Sequence, residues 1–173
     1  MKLKVMTVAV AITLFLAASA CSKQPDRTYK DSVKTALEQA DLKDVTVSED
    51  TDKNTITLGG TLHSEDAKQN AADVAKANAG TRIVVNEVSV QPVGQESEAK
   101  KVASNLDDGI ENNFKAALVS KGLDKEHIRF DAKNGVLKLK GTVKTASQRK
   151  EAEQLAQNVP NVQQVLNELD VRR

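Results

Sequence analysis

Between residues 27 and 91 the apolar positions change rhythm three times. Tyr29, Val33, Ala36 and Leu37 stand at helical spacing and form one stripe. Val45 and Val47, then Ile56, Leu58 and Leu62, alternate as in half-buried strands. The turn-rich "DTDKN" between them predicts a hairpin. Ala67, Ala71, Val74 and Ala75 return to helical spacing, with Ser64 placed to cap the helix and "NAG" (78–80) to stop it. Residues 83–90 read as a closing strand.

The same sequence of rhythms then recurs. "VKTALEQADL" (33–42) returns as "FKAALVSKGL" (114–123), "ITLGGTL" (56–62) as "LKLKGTV" (137–143), and "VVNEVSV" (84–90) as "VLNELDV" (165–171), all at one offset of 81 residues. In the second copy Ile110, Phe114, Ala117 and Leu118 form the first helical stripe, and Asp107 and Asp108 suit the N-terminal end of that helix. Ile128 and Phe130, then Leu137, Leu139 and Val143, face inward from a hairpin turned by "AKNG". Thr145 with Gln148 suits a capping box for a helix buried through Ala152, Leu155, Ala156 and Val159. The closing strand is 164–171. Gly60 and Gly141 interrupt equivalent strands, which suggests a bulge or a close backbone approach. The expected fold is α+β: two tandem α-β-β-α-β units, each a small three-stranded sheet packed on two helices. They span 27–91 and 108–173, joined by a polar linker over 92–107 whose end could extend the next helix.

This ordered set, with "GTL" and "GTV" after an alternating strand and a Val-Asn pattern ending at Asn86 and Asn167, resembles the BON domain twice over. The resemblance covers nearly all of the chain beyond its leader. It implies an exported, stress-related envelope protein of a Gram-negative bacterium, with the phospholipid membrane surface as partner and envelope integrity as function.

The chain begins "MKLKVMTVAVAITLFLAASAC". Lys2 and Lys4 precede an apolar run from Val5 to Leu16, too short for a membrane-spanning helix and ending in small residues, as an export signal over 1–20 does. Two processing routes compete. Cleavage after Ala18-Ser19-Ala20 alone would release a soluble periplasmic protein. The same stretch resembles a lipobox, although Ala18 stands where Leu is usual, and there Cys21 becomes the first mature residue and carries acyl chains. Cys21 is the chain's only cysteine, so it has no intramolecular disulfide partner, and it falls directly after the cut. The expectation is therefore an acylated Cys21. Ser22, with no Asp beside the cysteine, allows sorting to the outer membrane.

Candidate chemistry is sparse. His63 and His127 sit at unmatched places in the two copies, and no Cys or His cluster has metal-ligand spacing. "LGGTL" lacks the lysine and spacing of a phosphate loop, and "SEDTD" lacks the ordered ligands of a calcium loop. The reading is a protein that is not an enzyme and takes no cofactor or metal. Past the leader the only aromatics are Tyr29, Phe114 and Phe130, too few for a base-stacking nucleic-acid surface.

Charge separates the copies. Residues 27–92 carry 8 basic and 11 acidic side chains, whereas residues 110–173 carry 12 and 8. Alternation puts Lys138, Lys140 and Lys144 on the outer face of one strand, with Arg149 and Lys150 close behind in sequence; the first copy has no lysine at the matching strand positions. Glu168 and Asp170, outward on the last strand, are available to neutralise them. These five cations are the candidate contact for anionic lipid, and the second unit is the candidate membrane-facing module. The alternative is a periplasmic protein-interaction or chaperone-like module in which the lysines only solubilise. Mass spectrometry of the mature N-terminus checks the anchor: Cys21 is expected as the first residue with acyl chains on its sulfur, and an unmodified thiol would refute it.

Overall fold

Local chemistry starts and stops each element where the apolar rhythm changes. The computed structural model describes residues 28–172; the leader, Cys21 and Arg27 lie outside the described residues. The first unit runs α1 (Tyr29–Gln39), β1 (Val45–Asp50), β2 (Thr55–Leu62), α2 (Glu65–Asn78), β3 (Ile83–Asn86) and β4 (Ser89–Val90). The second runs α3 (Glu96–Ser120), β5 (His127–Lys133), β6 (Val136–Val143), α4 (Ala146–Gln157) and β7 (Gln164–Val171). In each unit the second strand is central. β2 pairs antiparallel with β1 and parallel with β3 and β4; β6 pairs antiparallel with β5 and parallel with β7.

Both expected helix caps are present. Ser64 Oγ accepts from Ala67 N–H, and Thr145 forms the reciprocal capping box with Gln148. One face of each sheet is sealed by its two helices. Val33, Leu37, Ile56, Leu58, Ala71 and Ala75 fill the first core. Phe114 leads the second with Ile110, Leu118, Leu137, Leu139 and Ala152, its ring edge-on to Phe130 with centroids 5.1 Å apart.

The shared glycines and asparagines each have a physical job. Gly60 and Gly141 adopt φ of 101° and 112°, and a Cβ there would run into the carbonyl oxygen of Asp44 or His127. Asn86 sits where the closing strand of unit 1 breaks between β3 and β4. Its Oδ1 accepts from Val88 N–H at 3.3 Å, and its Nδ2 donates to the Lys68 carbonyl of α2 at 3.0 Å. Asn167 does the same with Leu169 N–H and the Arg149 carbonyl. The Val-Asn pattern is thus a staple from last strand to second helix.

Two features depart from expectation. Asp107 and Asp108 lie inside a helix rather than at its start, because α3 begins at Glu96, after a turn in which Gln95 N–H donates to Pro92 C=O. Residues 96–107, within the segment 92–107, are helical and continuous with the helix that packs on the second sheet. Tyr29, counted in the core stripe, is 38% exposed and lies against Gly80, with the Arg82 guanidinium 5.4 Å from its ring centroid.

The two units pack together along their last strands. Val85, Val136 and Leu166, on the faces turned away from the helices, form a buried cluster across the boundary. Contacts come in reciprocal pairs. Val85 and Leu166 are equivalent positions under the repeat. Lys53 Nζ reaches Glu168 at 2.6 Å, and Asn134, equivalent to Lys53, donates through Nδ2 to the carbonyl of Glu87, equivalent to Glu168. Reciprocity of this kind marks a pairing about a local two-fold. The Gln164 side chain takes the open edge of β3, donating to Val84 C=O and accepting from Asn86 N–H.

Replacing Gly141 by Ala should lower stability by about 1–3 kcal/mol, because it combines a left-handed backbone with a carbonyl clash. Gly109→Ala, inside α3 with open space around it, should instead raise stability by about 0.5–1 kcal/mol. Urea midpoints of the two variants check both signs.

Candidate surface site

The five candidate cations do not form one patch. Lys138 is turned into the boundary between units: its side chain is only 22% exposed and its ammonium sits 3.5 Å from Glu87 Oε1 of the first unit. Glu87 also holds Lys133 at 3.0 Å through its other oxygen. Lys144 is exposed but its Nζ is 2.9 Å from Glu126 Oε1. Arg149 and Lys150 are exposed on α4, which lies on the opposite side of the sheet from Lys140. Arg149 donates from Nη2 to Asn167 C=O at 3.3 Å. Lys140 alone of the three strand lysines is exposed and forms no ion pair among the described residues.

Glu168 does not neutralise the lysines of β6. Although it stands beside Lys140 in register, its carboxylate is taken by Lys53 of the first unit. That hydrogen bond is the main cause raising Lys53 above the ordinary lysine value.

The outer face of unit 2 gains a cation that the sequence reading passed over. Arg129 lies directly opposite Lys140 in the β5–β6 register, is exposed, and likewise has no ion pair among the described residues. Like charges directly opposed across strands repel one another. A third cation, Arg172, donates from Nε to Thr142 Oγ1 at 3.1 Å on the same end of the face. The signal for Arg129 was in the alternation: Ile128 and Phe130 point inward, so Arg129 must point out. Next to it, Glu126, His127, Ile128, Arg129, Gly141 and Thr142 line an open groove of about 450 Å³.

His127 and His63 are both exposed, and His63 Nδ1 is 2.9 Å from the Gln91 carbonyl. Among the described residues no group of three His, Cys, Asp or Glu could hold a metal ion, and no helix is long and apolar enough to cross a membrane.

Two copies of one strand-and-helix unit, each with its positive-φ strand glycine and its strand-to-helix asparagine, define a tandem-repeat α+β protein. The chain belongs to the BON domain family, which it matches over residues 25–92 and again over 106–173. It is similar to Osmotically-inducible protein Y of Escherichia coli (strain K12), 30% identical over 149 residues that cover 85% of this chain and 73% of that protein. Among solved structures, the C-terminal domain of CdsD, the structural protein of the type III secretion system of Chlamydia trachomatis, aligns at a TM-score of 0.35 and 13% identity. That alignment covers 84% of this chain and 66% of that one. A second CdsD structure gives the same score over 62% of its own length. At such scores nothing further follows from the likeness.

Glu126 is held below the ordinary carboxylate range, first by the hydrogen bond from Lys144, then by the Lys144 charge and a hydrogen bond from Gln148. A depressed carboxylate stabilises the fold above its unfolded value of 4.5, and that contribution is lost as pH falls through the lower folded value. Acid titration of Glu126→Gln should therefore show a shallower loss of stability below pH 4.5 than the unaltered protein. Identical acid limbs would show that the pair contributes nothing.

Proposed function

We propose that the protein is a non-enzymatic envelope lipoprotein of the periplasm, held at the outer membrane by acyl chains on Cys21. Its second BON domain touches anionic phospholipid headgroups, and its role is envelope integrity under osmotic stress. Family membership supports the envelope role, and similarity to an osmotically inducible protein supports the stress setting. The observation that carries the lipid contact is the Arg129–Lys140 pair: two opposed, exposed cations that form no ion pair among the described residues. A surface of headgroup phosphates would relieve their repulsion.

Geometry narrows the contact. Lys138 serves the boundary between units, and Arg149 and Lys150 face another way, so the lipid-facing set is Arg129, Lys140 and Arg172, with Lys144 at its margin. Each cation near an anionic bilayer is worth about 1 kcal/mol and is screened by salt. Three or four of them bind weakly alone. An acyl anchor makes weak binding effective by raising the local concentration of membrane. The first domain then acts as scaffold, supplying Glu87 and Lys53 to fix the second.

Co-sedimentation of protein beginning at Ser22 with vesicles tests the reading. Anionic vesicles should retain it better than zwitterionic ones, with retention falling as salt rises. Arg129→Glu combined with Lys140→Glu should weaken anionic binding by about tenfold or more, since two attractions become repulsions. Equal retention by both vesicle types, or no effect of the double reversal, would sink the headgroup contact.

A further inference from the structure

The apolar stripe of α3 does not end where its sheet ends. Ile110, Phe114 and Leu118 are sealed in the second core, and Ala99, Ala103 and Leu106 continue the same line towards the N-terminus of the helix. Leu106 is 45% exposed there and Val102, a turn earlier, 56%. This half of α3 forms one wall of a groove of about 590 Å³. The other walls are Val90 at the end of β4, the β5–β6 turn at Asn134-Gly135, and Val162 before β7.

The charges around the groove are one-sided. Glu65, Glu98, Asp107 and Lys68 line it. Lys68 is only 7% exposed, its Nζ donates to the Asn134 carbonyl at 3.2 Å, and the charges of Glu65 and Asp107 favour its ammonium form. Its ammonium is therefore already committed. Asp107 is committed as well, accepting from the N–H groups of Asn134 and Gly135 at 2.8 and 3.1 Å. The exposed carboxylates at the rim are those of Glu65 and Glu98, neither of which forms an ion pair among the described residues. An acidic rim over an apolar floor repels a phosphate or fatty-acid head and attracts a cation-bearing apolar chain.

We propose that this groove between the two domains docks an amphipathic, cationic segment of another polypeptide. Its apolar side chains would lie on Val90, Val102, Leu106 and Val162, and its Lys or Arg side chains on Glu65 and Glu98. A groove alongside a helix suits recognition of residues at helical spacing. The site lies away from the Arg129–Lys140 face and has the opposite charge, so it is separate from the proposed lipid contact.

The test uses fluorescence anisotropy of the purified protein with a labelled peptide that has Leu at helical spacing and Lys elsewhere. A partner peptide with Glu in place of Lys serves as the comparison. The Lys peptide should bind saturably, and the Glu peptide about tenfold more weakly or worse. Glu98→Lys, and separately Val102→Ser with Leu106→Ser, should each weaken binding of the Lys peptide by about fivefold or more. Val119→Ser, at a position 57% exposed on the same helix but outside the groove, should leave it unchanged. The altered side chains are solvent-exposed, and circular dichroism checks that the fold is kept. Equal binding of both peptides, binding of neither, or full binding by the groove variants would overturn the proposal. So would loss of zwitterionic-vesicle binding in the Val102/Leu106 variant with no peptide bound, which would make the groove a lipid contact.

Discussion

A two-residue turn, Asn134-Gly135, has to satisfy its backbone at the boundary between the domains, and the way it does so ties the two halves into one. Its two N–H groups are taken by the carboxylate of Asp107, from the second domain's own helix. Its outward carbonyl is taken by Lys68 and its side-chain amide by the Glu87 carbonyl, both from the first domain. Buried polar groups that lose a partner cost on the order of 1–3 kcal/mol each. The turn therefore cannot leave the first domain without leaving several of them unpaired. Lys68 adds to this: burial pushes its ammonium below the ordinary lysine value, and the turn carbonyl that accepts from it, together with the charges of Glu65 and Asp107, offsets part of that cost.

That clasp explains why Lys138 is not a surface charge. Alternation along a strand says which face a side chain occupies, and Lys138 does lie on the face away from the helices. What covers that face is a separate matter. In unit 2 the face is divided: the end nearest Val136 and Leu166 is closed by the first domain, and the end nearest Arg129 and Thr142 is open. Five cations that look alike in sequence thus have three different environments. Glu168 and Glu87 pair with lysines across the boundary, whereas Glu126 and Glu49 pair with Lys144 and Arg82 inside their own domains.

Much of the fold was legible because each signal was local. The alternating strands, the Ser64 and Thr145 caps and the two strand glycines at a close backbone approach each depend on a few adjacent residues, and duplication let one copy check the other. The start of α3 was harder to read. Pro92 and Gly94 break the chain, and a run of charges follows, which looks like solvent-exposed linker; the weak stripe of Ala99, Ala103 and Leu106 is the only mark of helix. The boundary between domains left no periodic trace, because Val85, Val136 and Leu166 read as ordinary outward strand residues. Arg129 could have been placed from Ile128 and Phe130 alone, but lysine density drew attention to β6 instead.

The reciprocal contacts across the boundary resemble those of a symmetric dimer, yet here both partners are one polypeptide. In a true dimer every substitution arrives twice, so a charge placed on one side of the axis faces its own image. Fusion removes that restriction. Ile83 in one half can remain an exposed apolar residue while its counterpart, Gln164, stitches the strand edge of its sister. Covalent linkage also makes the pairing independent of dilution, so the halves can drift apart in surface chemistry without risk of separating.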